Sequence, residues 1–234
     1  MGHEPTVSAD YADRVKAWHE TAYRESHRDT DVTFDYLGRT FVVPPDVHPI
    51  TPFSHLLGDA VLAEVRPGDR VLDMGTGCGV NAILAAGTSA DVTAVDTNPH
   101  ALAAAAANAE RNGVRVTVRH SDVFSEVTGR FDLIVFDPPF RWFTPRDHRE
   151  AASADAGYRA MNTFFAQARD HLTADGRMLI FFGTSGDLGH LHAKAEAAGF
   201  ASEVLATGGL EKDGWQVDYF TYRLVPAAGA TAAG

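Results

Sequence analysis

The sequence predicts an α/β protein built on a mostly parallel β-sheet with helices on both faces. From Arg70 onward, short apolar runs typical of buried strands alternate with segments of helical periodicity. Such alternation indicates parallel strands that are joined by crossover helices. The two strands predicted at 200–206 and 215–224 have no helix between them. They should therefore pair antiparallel and end the sheet as a hairpin.

The elements of this sheet follow in chain order. Apolar runs predict strands at 70–74, 91–96, 114–119, 131–136 and 177–182. Helical spacing predicts helices at 80–86, 99–113, 157–172 and 188–199. The helix at 99–113 has the clearest boundaries, because Asn98 is a good N-cap, Pro99 suits the first helical position and Gly113 suits the end.

The chain before this pattern predicts a short extension. Apolar positions at helical spacing predict an amphipathic helix over 9–27, and the segments 32–36 and 39–43 predict a hairpin. A proline-rich loop follows, and Ser54 is expected to cap a helix that runs to about Glu64.

These patterns divide the chain into three parts. We interpret residues 1–53 as an extension that can cap a ligand cleft, and residues 54–225 as the α/β domain. Residues 226–234 are small side chains, which predict a disordered tail.

Composition narrows the classes of function. The chain of 234 residues has a formal net charge of -11, which disfavours nucleic acid and anionic membranes as partners. No apolar run reaches the length of a membrane span. The single cysteine, Cys78, excludes a disulfide framework within the chain and favours a reducing, cytoplasmic compartment. The eleven histidines show no ligand spacing, so no metal site is predicted.

A glycine-rich loop and three acids predict a nucleoside site. Gly75, Gly77 and Gly79 stand between the strand at 70–74 and its helix, where glycines let the backbone approach a ligand. Asp96 and Asp122 follow the next two strands, and ligands bind at this edge of such sheets. Asp96 could accept both ribose hydroxyls, and Asp122 could accept an exocyclic amino group.

Two cofactors compete for this loop. A dinucleotide requires G-x-G-x-x-G, whereas this loop has G-x-G-x-G with Asp73 beside it. A carboxylate disfavours a pyrophosphate but suits an ammonium group. S-adenosylmethionine combines adenine, ribose and an amino-acid ammonium, and it fits better. A glycine-rich packing turn with solvated acids remains the alternative that involves no ligand.

Together with Asp137-Pro138-Pro139-Phe140, these residues resemble the class I S-adenosylmethionine-dependent methyltransferases over roughly 55–225. The resemblance implies a Rossmann-like sheet with strand order 3-2-1-4-5-7-6, in which strand 7 is antiparallel. It also implies a cofactor site made by Asp73, Gly75, Thr76, Gly77, Cys78, Gly79, Asp96, Thr97, Asp122, Val123 and Asp137.

The segment from Asp137 to Phe140 is similar to the Asp/Asn-Pro-Pro-Phe/Tyr motif of amino-directed methyltransferases. The Asp137 carboxylate and the Pro138 carbonyl could hold an N–H-bearing nucleophile, and Phe140 could stack on a planar substrate or face the methyl cation. Asp in place of Asn puts a glutamine-amide substrate in doubt. In the alternative interpretation, Asp137 only satisfies backbone N–H groups of a turn.

The next residues, RWFTPRDHR, suggest an acceptor surface. Arg141 and Arg146 could bind a carboxylate or phosphate, and Trp142 and Phe143 could stack on a ring. A solvated loop is the alternative. His48 is a further candidate for the acceptor side.

The sequence therefore predicts an N-methyltransferase that acts on an amino or guanidino nitrogen of a small molecule or protein side chain. Three alternatives stay open: a nucleic-acid N-methyltransferase, a non-catalytic protein that binds an adenosyl ligand, and a dehydrogenase.

Overall fold

The computed structural model describes residues 4–88, 91–212 and 214–227. The strands in these ranges are β1 (Val32–Tyr36), β2 (Arg39–Val43), β3 (Arg70–Met74), β4 (Asp91–Asp96), β5 (Thr117–His120), β6 (Phe131–Phe136), β7 (Leu172–Gly183), β8 (Phe200–Lys212) and β9 (Trp215–Pro226). The helices are α1 (Ala9–Glu25), α2 (His55–Glu64), α3 (Val80–Ala86), α4 (Pro99–Arg111), α5 (His148–Ala151), α6 (Arg159–Gln167) and α7 (Leu188–Ala197).

Strands β3 to β9 form one sheet in the described part of the chain, in the order β5-β4-β3-β6-β7-β9-β8. Strands β5, β4, β3, β6 and β7 are parallel, and β9 pairs antiparallel with both β7 and β8. Numbered from β3, this order is 3-2-1-4-5-7-6 with strand 7 antiparallel. The predicted fold class and the hairpin at the end of the sheet are confirmed.

The centre of the sheet is buried on both faces. Leu133, Ile134 and Val135 of β6 have no exposed surface, which explains why this strand is an unbroken apolar run. Its last residue, Phe136, packs on Phe164 of α6 with ring centroids 4.5 Å apart. The backbone position of the next residue, Asp137, is therefore fixed by the buried strand.

Several predicted boundaries were wrong. Helix α2 follows Ser54 and ends at Glu64 as predicted, but Ser54 has helical backbone angles and makes no side-chain cap, and its Oγ accepts a hydrogen bond from Thr51 N at 3.0 Å. Strand β5 begins at Thr117 because Val114 N still bonds to the end of α4. The helix expected at 157–172 begins and ends with 3₁₀ turns, so β7 begins at Leu172. Residues 228–234 of the predicted tail lie outside the described residues.

The β1–β2 hairpin is tied to the sheet domain through an asparagine of α4. The side chain of Asn108 accepts from Val42 N and donates to Val42 O, each at 2.9 Å. The same side chain donates to Cys78 O at 2.9 Å. Asn108 has no exposed surface. This buried amide therefore links the hairpin to the glycine-rich loop.

Helix α1 packs against β9 and against the loop that follows β6. Val15 is fully buried in a small cluster with Trp215 and Val217 of β9. The ring of Trp18 meets Trp215 edge-on, with centroids 5.1 Å apart. In the described part of the chain, every helix is too short or too polar to cross a membrane.

Candidate active site

A cleft of about 440 Å³ opens at the carboxyl ends of the parallel strands, and its size is ordinary for a small-molecule site. Ten of the predicted site residues line it: His48, Gly75, Thr76, Gly77, Cys78, Asp96, Thr97, Asp122, Val123 and Asp137. Pro49 and Ile50 also line it, so the loop after β2 forms part of the wall. Whether the extension moves as a cap stays a prediction.

The glycine-rich loop needs its glycines for two different reasons. Gly75, Gly77 and Gly79 have φ of +67°, +55° and +90°, which L side chains rarely adopt. A Cβ at Gly79 would lie 3.0 Å from Ala105 Cα, so this glycine lets α4 pack closely. A Cβ at Gly77 would meet no atom within 4 Å, because the backbone there borders open space. The loop is thus an open cradle for a ligand.

Asp73 lies behind this cradle, outside the lining of the cleft. Its Oδ2 accepts from Thr76 Oγ1 at 2.6 Å and from Ala82 N at 3.1 Å. Burial raises the pKa of Asp73 to about 7, although these hydrogen bonds act in the opposite direction. The carboxyl group fixes the loop to the start of α3. A direct contact with a cofactor ammonium group stays a prediction.

Asp96 is part of the cleft wall and is already oriented. Its Oδ2 accepts from Gly77 N at 3.0 Å, and its Oδ1 accepts from Asn98 N at 2.8 Å. Burial raises the pKa of Asp96 despite these hydrogen bonds. Each carboxylate oxygen has a second lone pair, so two hydroxyl groups can still bind. This donor set fits the ribose diol of the expected cofactor.

Asp122 has a partner that the sequence did not indicate. Both of its oxygens accept from Arg159 of α6, at 3.0 Å each, and both residues line the cleft. The pair joins β5 and α6 across the cleft edge. Arg159 lies in a later helix, where no local pattern distinguishes it from a surface arginine.

Asp137 lies in the cleft directly after β6. Its side chain is exposed to the cleft, yet surrounding protein raises its pKa to about 7. The negative charge of Asp73 adds to this rise, and Arg141 opposes it. Among the described residues, none donates a hydrogen bond to this carboxyl group. The arrangement differs from a turn in which Asp137 satisfies backbone N–H groups.

The remaining motif residues lie beside the cleft. Pro139 lines it, whereas Pro138 and Phe140 are buried outside the lining. The Phe140 ring packs on Phe182 with centroids 4.8 Å apart, and it also contacts Phe181 and Tyr219. Stacking of this ring on a substrate stays a prediction, but the structure gives the ring a place in the core.

Most of the predicted acceptor surface packs elsewhere. Trp142 contacts Phe143 and Tyr158, and Phe143 contacts His19 of α1. None of Arg141, Trp142, Phe143 and Arg146 is part of the cleft lining. A role for Trp142 and Phe143 in stacking on an acceptor stays a prediction.

Arg146 is held in ion pairs. Its guanidinium bonds to Glu150 at 2.6 and 2.9 Å and to Glu20 of α1 at 3.1 Å. A substrate anion would compete with two carboxylates for this arginine. Contact of Arg146 with an acceptor is therefore the least supported of the acceptor predictions.

His48 lines the cleft and carries no charge at neutral pH. Although His48 is exposed to the cleft, the protein around it disfavours the charged imidazole and lowers its pKa to about 4, and the positive charges of Arg141 and Arg28 act in the same direction. A neutral imidazole can accept a hydrogen bond or a proton. Across the described residues, no group of three or more His, Cys, Asp and Glu side chains could hold a metal ion.

Comparison with known proteins identifies the family of the chain. Residues 53–191 match the methyltransferase small domain family. A "Ribosomal protein L11 methyltransferase" from Thermosipho africanus is 53% identical over 72 residues, which are 30% of this chain and 28% of that protein. A "Release factor glutamine methyltransferase" from Cereibacter sphaeroides is 35% identical over 167 residues, 64% of this chain and 59% of that protein.

A solved structure shows the same fold. The 16S rRNA methyltransferase from T. thermophilus, in complex with AdoMet and guanosine, superposes with a TM-score of 0.60 at 22% identity. The match covers 84% of this chain and 50% of that one. The chain spans less than two thirds of the length of these three relatives. Because the family match covers more than half of the chain, the chain belongs to the methyltransferase small domain family, and its cofactor is S-adenosylmethionine.

Proposed function

We propose that this chain methylates a nitrogen atom that an acceptor presents to Asp137. One observation carries the proposal. The Asp137 carboxyl group is open to the cleft and receives no hydrogen bond from the described residues, although it stands at the end of a rigid, buried strand. A polar group placed in this way lacks a partner that an N–H donor could supply.

The chemistry requires mainly positioning and removal of water. When bound, S-adenosylmethionine supplies a methyl group that is activated by a positively charged sulfur. The ionised Asp137 can only accept hydrogen bonds, so it holds an N–H group and turns the nitrogen lone pair towards the cleft. Pro138 and Pro139 restrict the backbone and so fix this geometry. Such positioning can supply a large part of the rate enhancement.

The motif supports nitrogen as the methylated atom. Asp137-Pro138-Pro139-Phe140 is similar to the Asp/Asn-Pro-Pro-Phe/Tyr motif of amino-directed methyltransferases. A carboxylate accepts hydrogen bonds from an amine or a guanidine, and the neutral form of either offers the lone pair that forms the new N–C bond as the S–C bond breaks and the neutral thioether leaves. The positive charge then rests on the nitrogen, which can release a proton to solvent. Such a nitrogen suits a small-molecule or protein acceptor. The relatives named for a ribosomal protein and for a release factor favour the same kind of acceptor.

A ribosomal RNA base is the second candidate acceptor. The T. thermophilus structure with guanosine favours it, because that protein has the same fold and is named for 16S rRNA. The net charge of -11 does not decide between the candidates, since the chain is similar both to a protein named for a ribosomal protein and to one named for 16S rRNA.

The test is transfer of label from methyl-labelled S-adenosylmethionine to three separate pools: metabolites, proteins and RNA. The labelled pool identifies the acceptor class, and mass spectrometry of the product places the methyl group. We expect the methyl group on nitrogen.

The matched variants are Asp137→Ala and Asp137→Asn. We expect Asp137→Ala to lose on the order of a hundredfold in rate through misorientation while cofactor affinity changes by less than about tenfold. Asp137→Asn keeps the shape of the side chain and removes its negative charge, so it tests whether the charge is required. A product methylated on oxygen or carbon would contradict the proposal, and so would full activity of Asp137→Ala.

A further inference from the structure

We infer that Arg141 binds an anionic group of the acceptor, so that the acceptor carries a carboxylate or a phosphate near the nitrogen that is methylated. This inference rests on the proposed function and names a substrate class for it. Arg141 N donates to Ser153 O at 3.1 Å, and Arg141 O accepts from Asp155 N at 2.8 Å. The residue is therefore held firmly, four positions after Asp137.

Its side chain contacts two rings, and no carboxylate of the described residues forms an ion pair with it. The guanidinium carbon lies 5.5 Å from the Trp18 ring centroid and 5.6 Å from that of Phe140. These distances fit cation–π contacts, which orient a guanidinium and leave its N–H groups unused. The Nε atom is buried, and no described residue accepts a hydrogen bond from it.

The other two arginines of this loop are already satisfied. Arg146 bonds to Glu150 and Glu20, as described above. Arg149 bonds to the His27 ring at 3.0 Å, and its guanidinium lies 4.3 Å from the Tyr23 ring centroid. Glu150 and Glu20 pair with Arg146, and Asp147 interacts with Arg149. Arg141 forms no ion pair with a described residue, and the charge of Asp137 offsets only part of the effect of burial on its pKa.

The charge of Arg141 acts on the acceptor side of the cleft. It lowers the pKa of both Asp137 and His48, and these two residues line the cleft. His48 is neutral at neutral pH, so it cannot balance the guanidinium. Burial lowers the pKa of Arg141 itself, which reflects an unfavourable environment for its charge. A buried charge is costly unless it is paired, and an anion in this place would pair it.

The two residues together define the acceptor. Asp137 requires an N–H group, and Arg141 requires a carboxylate or phosphate, which a guanidinium can bind with two parallel hydrogen bonds. An acceptor with both groups is amino-acid-like or nucleotide-like. An amine that lacks an anionic group would leave Arg141 unpaired.

The experiment uses acetate and inorganic phosphate as probes on the full chain. The His48 ring C2–H resonance is followed by NMR and assigned with His48→Gln. We expect acetate, phosphate or both to shift this resonance at millimolar concentration. An anion bound to Arg141 would offset the positive charge that acts on the imidazole of His48. Phosphate acting alone would select phosphate-bearing acceptors, and acetate acting alone would select carboxylates.

The variants are Arg141→Gln, Arg141→Lys and the control Arg149→Gln, which removes the same charge elsewhere in the loop. We expect Arg141→Gln to weaken anion binding by about tenfold to a hundredfold, the range for a hydrogen-bonded charge. Arg149→Gln should leave the response unchanged. Arg141→Lys should keep a weakened response, since lysine retains the positive charge but lacks the forked donors of a guanidinium. This variant replaces Arg141→Gln in the experiment if Arg141→Gln does not fold.

The inference is overturned if neither anion shifts the resonance, or if the response persists in Arg141→Gln. These outcomes are separate from failure of the proposed function. A product methylated on oxygen would leave the anion response intact, and loss of the anion response would leave nitrogen methylation intact.

Discussion

Asp73 and Asp137 stand at the ends of adjacent parallel strands, and the charge of one raises the pKa of the other. Asp73 pairs in register with Val135, two residues before Asp137. The surrounding protein disfavours the charge of each carboxyl group and raises its pKa to about 7, although only Asp73 is buried and Asp137 is open to the cleft. One acid holds the glycine-rich loop and the other faces the cleft. Both the stability and the activity of the chain should therefore change near neutral pH.

The first prediction concerns activity. Only the ionised Asp137 accepts an N–H hydrogen bond through both oxygens, so kcat/KM should rise with pH through an apparent pKa near 7. The groups that face Asp137 and tune this value are Asp73 and Arg141. Steady-state rates from pH 5.5 to 8.5 test it. The same acceptor with Asp137→Asn provides the control, because the titration of the acceptor remains and that of Asp137 is lost. An identical profile for both proteins would show that Asp137 does not control the rate.

The second prediction concerns stability. The pKa of Asp73 is about 7 in the folded chain and near 3.9 in an unfolded one, so the folded state binds more protons between these values. The free energy of unfolding should therefore fall as pH rises from about 4 to 7, by at most about 1.4 kcal/mol per pH unit for one such group. Asp73→Asn should flatten this slope, because the amide oxygen can still accept from Thr76 and Ala82. Urea unfolding at pH 5 and pH 7.5 measures the difference, and an unchanged slope in the variant would contradict the assignment.

The third prediction concerns the cofactor. Asp96→Ala should weaken S-adenosylmethionine binding by about 1.5–3 kcal/mol, the scale for hydrogen bonds to a charged group. Asp96 also holds Gly77 N and Asn98 N, so circular dichroism must show that the variant is folded. Calorimetry measures the affinity. Asp137→Ala is the control, because it removes another carboxylate from the same cleft. Equal affinities for Asp96→Ala and the unsubstituted chain would refute the role of Asp96.

Sequence patterns predicted the parts of this molecule that depend on local order. The alternation of strands and helices, the glycine-rich loop and the acids after successive strands all came from residues that are close in the chain. The sequence did not indicate the partners of Asp122 and Arg146. Arg159 lies 37 positions after Asp122, and Glu20 lies 126 positions before Arg146. The motif gives the position of Phe140 in the chain, whereas the direction of its ring depends on contacts such as the one with Phe182 in β7.

The fourth prediction compares two glycines of one loop. Gly79→Ala places a Cβ 3.0 Å from Ala105 Cα at a φ of +90°, so both packing and backbone conformation are strained. We expect a loss of about 1–3 kcal/mol in the free energy of unfolding. Gly77→Ala meets no atom within 4 Å and should cost less stability, while its methyl group enters the cradle and weakens cofactor binding. Denaturant unfolding and calorimetry on both variants separate the two effects. Equal losses of stability would show that contact with α4 is unimportant.

The last prediction concerns the attachment of α1. The buried Glu150 accepts from Arg146 and from His19 of α1, the latter at 2.8 Å. Burial alone would raise the pKa of Glu150, but these hydrogen bonds outweigh it and lower the pKa to about 2. Its contribution to stability is therefore present above about pH 4.5 and is lost as pH falls towards 2. Glu150→Ala should lower the free energy of unfolding by about 1–3 kcal/mol and speed proteolysis within α1, because His19 loses its buried partner. Glu20→Ala is the matched control, since its pair with Arg146 is half-exposed and should contribute about 0–1 kcal/mol. If both variants are cleaved at the same rate, the attachment of α1 does not depend on Glu150.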